Sequence, residues 1–108
     1  MSVQGKWRII EMPDYDGDYP DTMGPAYILF DESGSEFAFG CVTGAIHGNA
    51  NGNAIEFTWS GNDEMDEASG DGWAELQDDG TLQGQICFQR GDEADFIARP
   101  WDNFSTAC

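Results

Sequence analysis

The sequence is poor in basic residues, in histidine and in long apolar runs. Of its 108 residues only four are lysine or arginine, against 21 aspartates and glutamates, so the formal net charge is −17. Nucleic acids and anionic membranes attract proteins through lysine and arginine, and this charge therefore excludes both as partners. No apolar stretch approaches the ~20 residues of a membrane-spanning helix. The first residues lack the pattern of a secretory leader, so we expect a cytoplasmic protein.

The cysteines and the single histidine argue against the common catalytic and metal sites. Cys41, Cys87 and Cys108 are odd in number, widely spaced and form no Cys-x-x-Cys motif. Such a set is typical of free thiols in a reducing cytoplasm rather than of a disulfide scaffold. On one extended strand His47 would lie about 20 Å from Cys41, out of reach for a catalytic pair. The sequence predicts no catalytic residue, no cofactor and no metal ligand.

The acidic segments require a separate test for calcium. An EF-hand loop that begins at Asp14 needs glycine at position 19 and glutamate at position 25, where this chain has Tyr19 and Pro25. A looser divalent-cation site in an acidic loop stays open. A pair of carboxylates acting as in hydrolases also stays open, because 21 acids make accidental pairs inevitable.

What the chain does have is apolar–polar alternation in short runs separated by turn residues. The run at 82–89 is the clearest, with Leu82, Ile86 and Phe88 on one face and glutamines on the other. A period of two residues predicts β-strands. The other strand-like runs cover residues 5–12, 26–31, 36–47, 54–60, 72–76 and 94–99. The sequence thus predicts seven or eight strands.

Short connections between these runs favour antiparallel pairing of neighbours. We therefore predict one acidic all-β domain over residues 1–108, an antiparallel meander closed or nearly closed into a small barrel. A two-sheet β-sandwich is the alternative. Closure is favoured because it removes both exposed edges of a long meander. Helix is expected to be nearly absent. The aromatic residues that fall on strand faces are expected to fill the core, namely Phe37, Phe39, Phe57, Trp59, Phe88 and Phe96.

The start of the first strand resembles the calycin superfamily, which includes lipocalins, fatty-acid-binding proteins and avidins. Gly5-Lys6-Trp7 matches the Gly-x-Trp with which those barrels often begin. The resemblance implies a calycin-like barrel in which Trp7 closes one end and Arg99, from the last strand, lies against its ring. Both residues would have structural roles.

The second half of the chain resembles a family of small bacterial proteins of unknown function. The matching segments are Trp59-Ser60-Gly61-Asn62-Asp63-Glu64 and Asp79-Gly80-Thr81-Leu82-Gln83-Gly84-Gln85-Ile86. This resemblance implies a bacterial, cytoplasmic origin. It brings no activity, cofactor or catalytic residue.

The most suggestive surface is the acidic segment at 61–71, which is predicted to be a loop too long for a hairpin turn. A lone methionine among five carboxylates suits a contact surface. The predicted binding residues are Trp59, Asp63, Glu64, Met65, Asp66, Glu67 and Trp73.

We expect a non-enzymatic protein-interaction module that binds a basic protein through this acidic surface. The first alternative is a carrier of a small apolar ligand in the barrel interior, and the second is a hydrolase-type enzyme with paired carboxylates. A cavity lined by aromatic residues would favour the carrier, whereas a filled core with an acidic face would favour the module.

Overall fold

The chain folds as an eight-stranded antiparallel meander. The computed structural model describes residues 3–15, 21, 24–31, 34–89 and 91–101, apart from the side chains at 49–51. The strands are β1 (Gly5–Glu11), β2 (Tyr27–Phe30), β3 (Ser35–Phe39), β4 (Val42–Asn51), β5 (Ala54–Asp63), β6 (Asp66–Leu76), β7 (Leu82–Phe88) and β8 (Glu93–Pro100). Each strand pairs with the next, and β8 pairs with β1 along what we call the seam. The predicted closed barrel is confirmed over the sandwich, and the described ranges contain no α-helix.

Side-chain alternation decides which residues face the barrel interior. In β7 the buried positions are those predicted, with Leu82, Ile86 and Phe88 inside and the glutamines outside. In β5 the buried positions are Ile55, Phe57 and Trp59. The inward side chains of all eight strands meet in one core, and every side chain buried in the described part of the chain is hydrophobic. This burial is the main force that holds the barrel closed.

Inward-facing aromatic rings lie opposite glycines on the neighbouring strands. Phe37 of β3 faces Gly44 of β4, and Phe96 of β8 faces Gly84 of β7. A Cβ atom on either glycine would come within 2.7 Å of the facing ring. The glycines leave space that the rings occupy, so side chains pack the barrel interior, as eight strands allow.

The run at 36–47 is two strands and not one. The chain reverses at Gly40 and Cys41, where the φ of Gly40 is 55°, a value that glycine adopts without strain. Cys41 therefore lies in a turn, while Cys87 lies on a strand, and both are half-buried. Cys108 and residues 16–18, which belong to the segment after Asp14 tested as a calcium loop, lie outside the described residues.

Trp7 and Arg99 are separated by the barrel wall. Trp7 is buried as predicted, with 5% of its surface exposed, and its indole N–H donates to the carbonyl of Val3 at 2.9 Å. The prediction that Arg99 covers Trp7 is wrong. Arg99 lies opposite Arg8, and Pro100 lies opposite Trp7. A shift of one residue along a strand reverses the face, so the arginine points outward.

Candidate functional site

The acidic segment at 61–71 is a β-hairpin, and the predicted long loop is wrong. Strand β5 continues to Asp63 and β6 begins at Asp66, so Glu64 and Met65 form a two-residue turn. We call residues 63–67 the acidic tip. These five predicted binding residues do lie together at one end of the barrel, where the turns after the odd-numbered strands meet.

Pairing with β4 holds the acidic tip in place. Strand β4 lies beside β5 along its whole length, up to Val42 opposite Asp63. The N–H of Glu64 then donates to the carbonyl of Cys41 at 3.0 Å, which extends the ladder onto the turn between β3 and β4. Tertiary pairing therefore keeps residues of low β propensity, such as Asn62, extended. The tip is a paired hairpin rather than an unpaired loop.

The turn at the acidic tip places glutamate where glycine is preferred. Glu64 has a φ of 61°, and it is the one non-glycine residue in the described part of the chain with a positive φ. A positive φ at the first of two central turn residues is the pattern of a type II′ turn, which favours glycine there. A non-glycine residue held in a sparsely populated positive-φ conformation costs on the order of 1–3 kcal/mol.

The acidic tip exposes one apolar side chain among carboxylates. The Met65 side chain is 98% exposed. Asp63 and Asp66 lie directly opposite each other as the pair that closes the hairpin. Like charges in this position destabilise a hairpin. The tip thus combines unfavourable charge placement with an apolar group that faces water.

The described basic side chains that form specific contacts lie on the wall around the seam. Arg8 donates to both carboxylate oxygens of Asp21, at 2.8 and 3.2 Å. This hydrogen bond lowers the pKa of Asp21 below its ordinary value. The Lys6 ammonium lies 4.8 Å from the ring centroid of Tyr27 and 4.2 Å from that of Trp101. Arg8 and Lys6 therefore both interact with groups on the wall around the seam.

Trp59 was predicted both to fill the core and to belong to the binding surface, and it is a core side chain. Its ring meets those of Phe37 and Phe88 edge-on, with centroids 5.1 and 5.2 Å away. Its indole N–H donates to the carbonyl of Cys87 at 3.1 Å. Trp59 therefore supports the hairpin from inside the barrel and does not contribute to its surface.

Trp73 lies on the outer wall, away from the acidic tip. It is 43% exposed and stands opposite Glu56. Seven residues of β6 separate it from Asp66, roughly 23 Å at 3.3 Å per residue. Beside it a shallow concavity of about 290 Å³ is lined by Pro13 and Ile97 among others. The structure does not join this aromatic surface to the tip.

A notch beside the acidic tip was missed from the sequence. It has a volume of about 800 Å³ and opens to solvent. Its lining residues are Ser60, Gly61, Asn62, Glu67, Ala68, Ser69, Phe88 and Gln89. The notch exists because β6 extends beyond the end of β7, whose pairing stops at Gly70 opposite Phe88. The sequence predicts only a short strand at 72–76, so it does not indicate that β6 is longer than β7.

The chemistry of the described side chains does not single out a reaction. Burial, followed by the charges of nearby Asp71 and Glu93, raises the pKa of the Cys87 thiol. A protonated thiol is a weak nucleophile. Within the described ranges no three histidine, cysteine, aspartate or glutamate side chains come together as a metal-binding group. No helix in this part of the chain is long and apolar enough to cross a membrane.

Comparison of the chain with other proteins adds no relative. No family model, no curated protein and no solved structure matches it. The established result is the closed eight-stranded antiparallel barrel. Because one fold can host many functions, function has to be inferred from the surface.

Proposed function

We propose that this protein is a non-enzymatic protein-interaction module whose acidic tip binds a basic partner protein. The exposure of Met65 carries the proposal, because this side chain stands almost wholly in water between four carboxylates. Covering it would remove apolar surface from water, and a flexible thioether adapts to the partner's surface. The carboxylates would steer a basic partner toward the tip.

The anchoring of the acidic tip supports the same proposal. Strand β4 and the turn at Cys41 fix the hairpin before any partner arrives. A contact surface that is already ordered loses less conformational entropy on binding than a loop would.

The packed interior supports the module over a carrier of small apolar ligands. Glycines opposite Phe37 and Phe96 have no room for even a methyl group, because the rings already occupy that space. The notch and the concavity beside Trp73 open to solvent rather than into the core. No described observation favours a hydrolase with paired carboxylates.

The proposal also includes a fold family and a cellular origin for the protein. A kinship with calycin-like barrels is supported by the eight-stranded meander and by Gly5-Lys6-Trp7 at the start of β1. The outward position of Arg99 departs from that pattern. A bacterial, cytoplasmic origin is supported by the motifs in the second half of the chain and by the free thiol of Cys87.

Partner capture with two matched variants tests the proposed function. The tip variant carries Asp63→Asn, Glu64→Gln, Asp66→Asn and Glu67→Gln. The control variant neutralises four exposed acids elsewhere, Glu56, Asp71, Glu75 and Glu93, and so has the same net charge.

We expect the tip variant to lose basic partners that the wild type and the control variant retain from host lysate. Added salt should weaken capture by the wild type, because it screens exposed charges. Circular dichroism and urea unfolding would establish that both variants are folded. Equal capture by the two variants would show that the tip is not the binding surface.

A further inference from the structure

One edge of β6 beside the acidic tip has no pairing strand in the part of the chain that the structure describes. Strand β6 pairs with β5 from Asp66 to Glu75, whereas its pairing with β7 stops at Gly70. Beyond Gly70 only Ser69 still reaches that side, through its contacts with Gln89. Among the described residues, none pairs with residues 66–68 on the side of the notch. This edge is about 10 Å long, at 3.3 Å per residue.

The backbone of Glu67 points into the notch. The carbonyl of Ser69 accepts a hydrogen bond from the N–H of Gln89 at 2.8 Å, which shows that the backbone groups of Ser69 face the β7 side. In an antiparallel sheet this direction repeats every two residues. The N–H and C=O of Glu67 therefore face the same side, past the end of β7. An extended chain placed there would pair with both groups.

The two faces of this edge differ in chemistry. Glu67 lies on the outer face, opposite Asn62, while alternation places Asp66 on the same face as Ala68. Ala68 lies on the inner face, packs against the core and lines the notch with Phe88. In an added strand, alternate side chains would lie beside Glu67 and the others over Ala68. Charge complementarity calls for lysine or arginine beside Glu67, and the packed Ala68 calls for an apolar residue over it.

We infer that the unpaired edge of β6 takes an extended segment of a basic partner protein as an added strand, with basic and apolar residues alternating along it. The inference rests on the proposed function, because it states how the acidic surface is used. Exposed edges also invite pairing between identical chains. Here two copies would bring their acidic tips together and repel each other, whereas a basic strand is attracted.

Synthetic peptides provide the main test. The probe is a fluorescent eight-residue peptide of alternating lysine and valine with blocked ends, and its binding to the full chain is followed by anisotropy. One analogue carries N-methyl groups on every lysine and a second on every valine. Antiparallel addition directs the lysine N–H groups toward β6, and parallel addition directs those of valine.

Strand addition predicts that one N-methyl pattern weakens binding by about tenfold or more, while the other leaves it near that of the unmodified peptide. Equal affinity of all three peptides, or equal loss from both patterns, would overturn the inference. A peptide of alternating glutamate and valine should not bind at the same salt concentration.

A pair of variants tests the backbone of Glu67 directly. Glu67→Gln and Glu67→Pro remove the same charge, but only the proline removes the N–H. Proline is tolerated at an edge where the N–H faces away from the ladder. We expect Glu67→Pro to bind the unmodified peptide about tenfold more weakly than Glu67→Gln. If the proline variant is not folded by circular dichroism, the N-methyl peptides decide alone.

The outcomes separate this inference from the proposed function. Binding that depends on salt and on the tip carboxylates, yet ignores N-methylation, would leave the interaction module standing and overturn strand addition. Absence of peptide binding together with unchanged partner capture by the tip variant would overturn both. Self-association of the wild type that Glu67→Pro abolishes, measured by sedimentation, would assign the edge to a second copy instead and overturn the basic partner.

Discussion

The seam and the acidic tip use charged side chains in opposite ways. At the seam wall Arg8 is hydrogen-bonded to Asp21, and Lys6 lies over two aromatic rings. At the tip Asp63 faces Asp66, a pairing of like charges. We therefore expect the charges at the seam to contribute to stability and the like-charge pair at the tip to reduce it. Residues that weaken the fold where they stand are what a surface that acts on another molecule would contain.

The aromatic side chains around the seam add to this difference. Burial, and then a hydrogen bond with Glu36, raises the pKa of Tyr27 to about 12. The hydroxyl group therefore stays protonated and remains a hydrogen-bond donor throughout the neutral pH range. Its ring also meets that of Trp101 edge-on, at 6.5 Å between centroids. These local contacts help to hold the seam wall together.

The largest expected effect separates the buried seam from the exposed wall. Trp7→Ala should lower the free energy of unfolding by about 3–5 kcal/mol, because it leaves a cavity under the seam. Trp73→Ala, at the more exposed tryptophan, should lower it by less, about 1–2 kcal/mol, because 43% of that residue's surface is already exposed. Urea unfolding measures both. Equal losses would show that Trp7 is not a core residue.

A smaller loss is expected where the acidic hairpin meets β7. A Cβ atom on Gly70 would lie 1.8 Å from the carbonyl oxygen of Cys87, so Gly70→Ala must push the two backbones apart. We expect a loss of about 1–3 kcal/mol in urea unfolding. Ser60→Ala, at an exposed position of β5, is the control. Wild-type stability of Gly70→Ala would contradict the close approach of β6 and β7.

Removing a seam charge should destabilise the protein in a pH-dependent way. Arg8→Gln should cost about 0.5–1 kcal/mol at neutral pH, a modest value because the two side chains are 23% and 46% exposed. The folded-state pKa of Asp21 is lowered, so its contribution is present above the ordinary carboxylate pKa and is lost as the pH falls through the folded value.

Measuring the free energy of unfolding of both proteins as a function of pH tests this prediction. The difference in the free energy of unfolding between wild type and Arg8→Gln should disappear in acid and stay constant between neutral and mildly alkaline pH. A gap that persists below the folded pKa of Asp21 would mean that Arg8 acts through packing alone.

At the acidic tip, removing one charge should stabilise the protein instead of destabilising it. Asp66→Asn removes one of two like charges that face each other, and we expect a gain of about 0.2–1 kcal/mol. The gain should shrink with added salt, since exposed charges are screened within ~10 Å at 0.1 M. Thermal unfolding at two salt concentrations measures it. A loss of stability would show that Asp66 supports the turn.

The sequence was sufficient for the strands whose burial alternates and that end in recognisable turn residues. Strand β7 was predicted almost to the residue, because every second side chain is apolar and Asp78-Asp79-Gly80 precedes it. The closed meander followed from such runs and their short connections. Burial of Trp7 followed from the Gly-x-Trp motif.

Prediction failed where neighbours rather than local residues decide the structure. The turn of the acidic tip consists of Glu64 and Met65, neither of which is a turn former, and the glycines and asparagines around it imitate a loop. Their pairing with β4 becomes visible only in the folded chain. The turn at Gly40 has a single glycine as its signal. The position of Arg99 depended on a register that no local pattern encodes.

The closing pair of strands also determines how the barrel would respond to a mechanical load. Strands β1 and β8 run antiparallel, and Trp7 near the start of one lies opposite Pro100 at the end of the other. A force that pulls these two points apart acts across the strands, so it would break the hydrogen bonds of the seam one pair after another instead of shearing them all at once. The barrel would therefore unzip at low force, and it would open first at the seam, on the wall opposite the acidic hairpin.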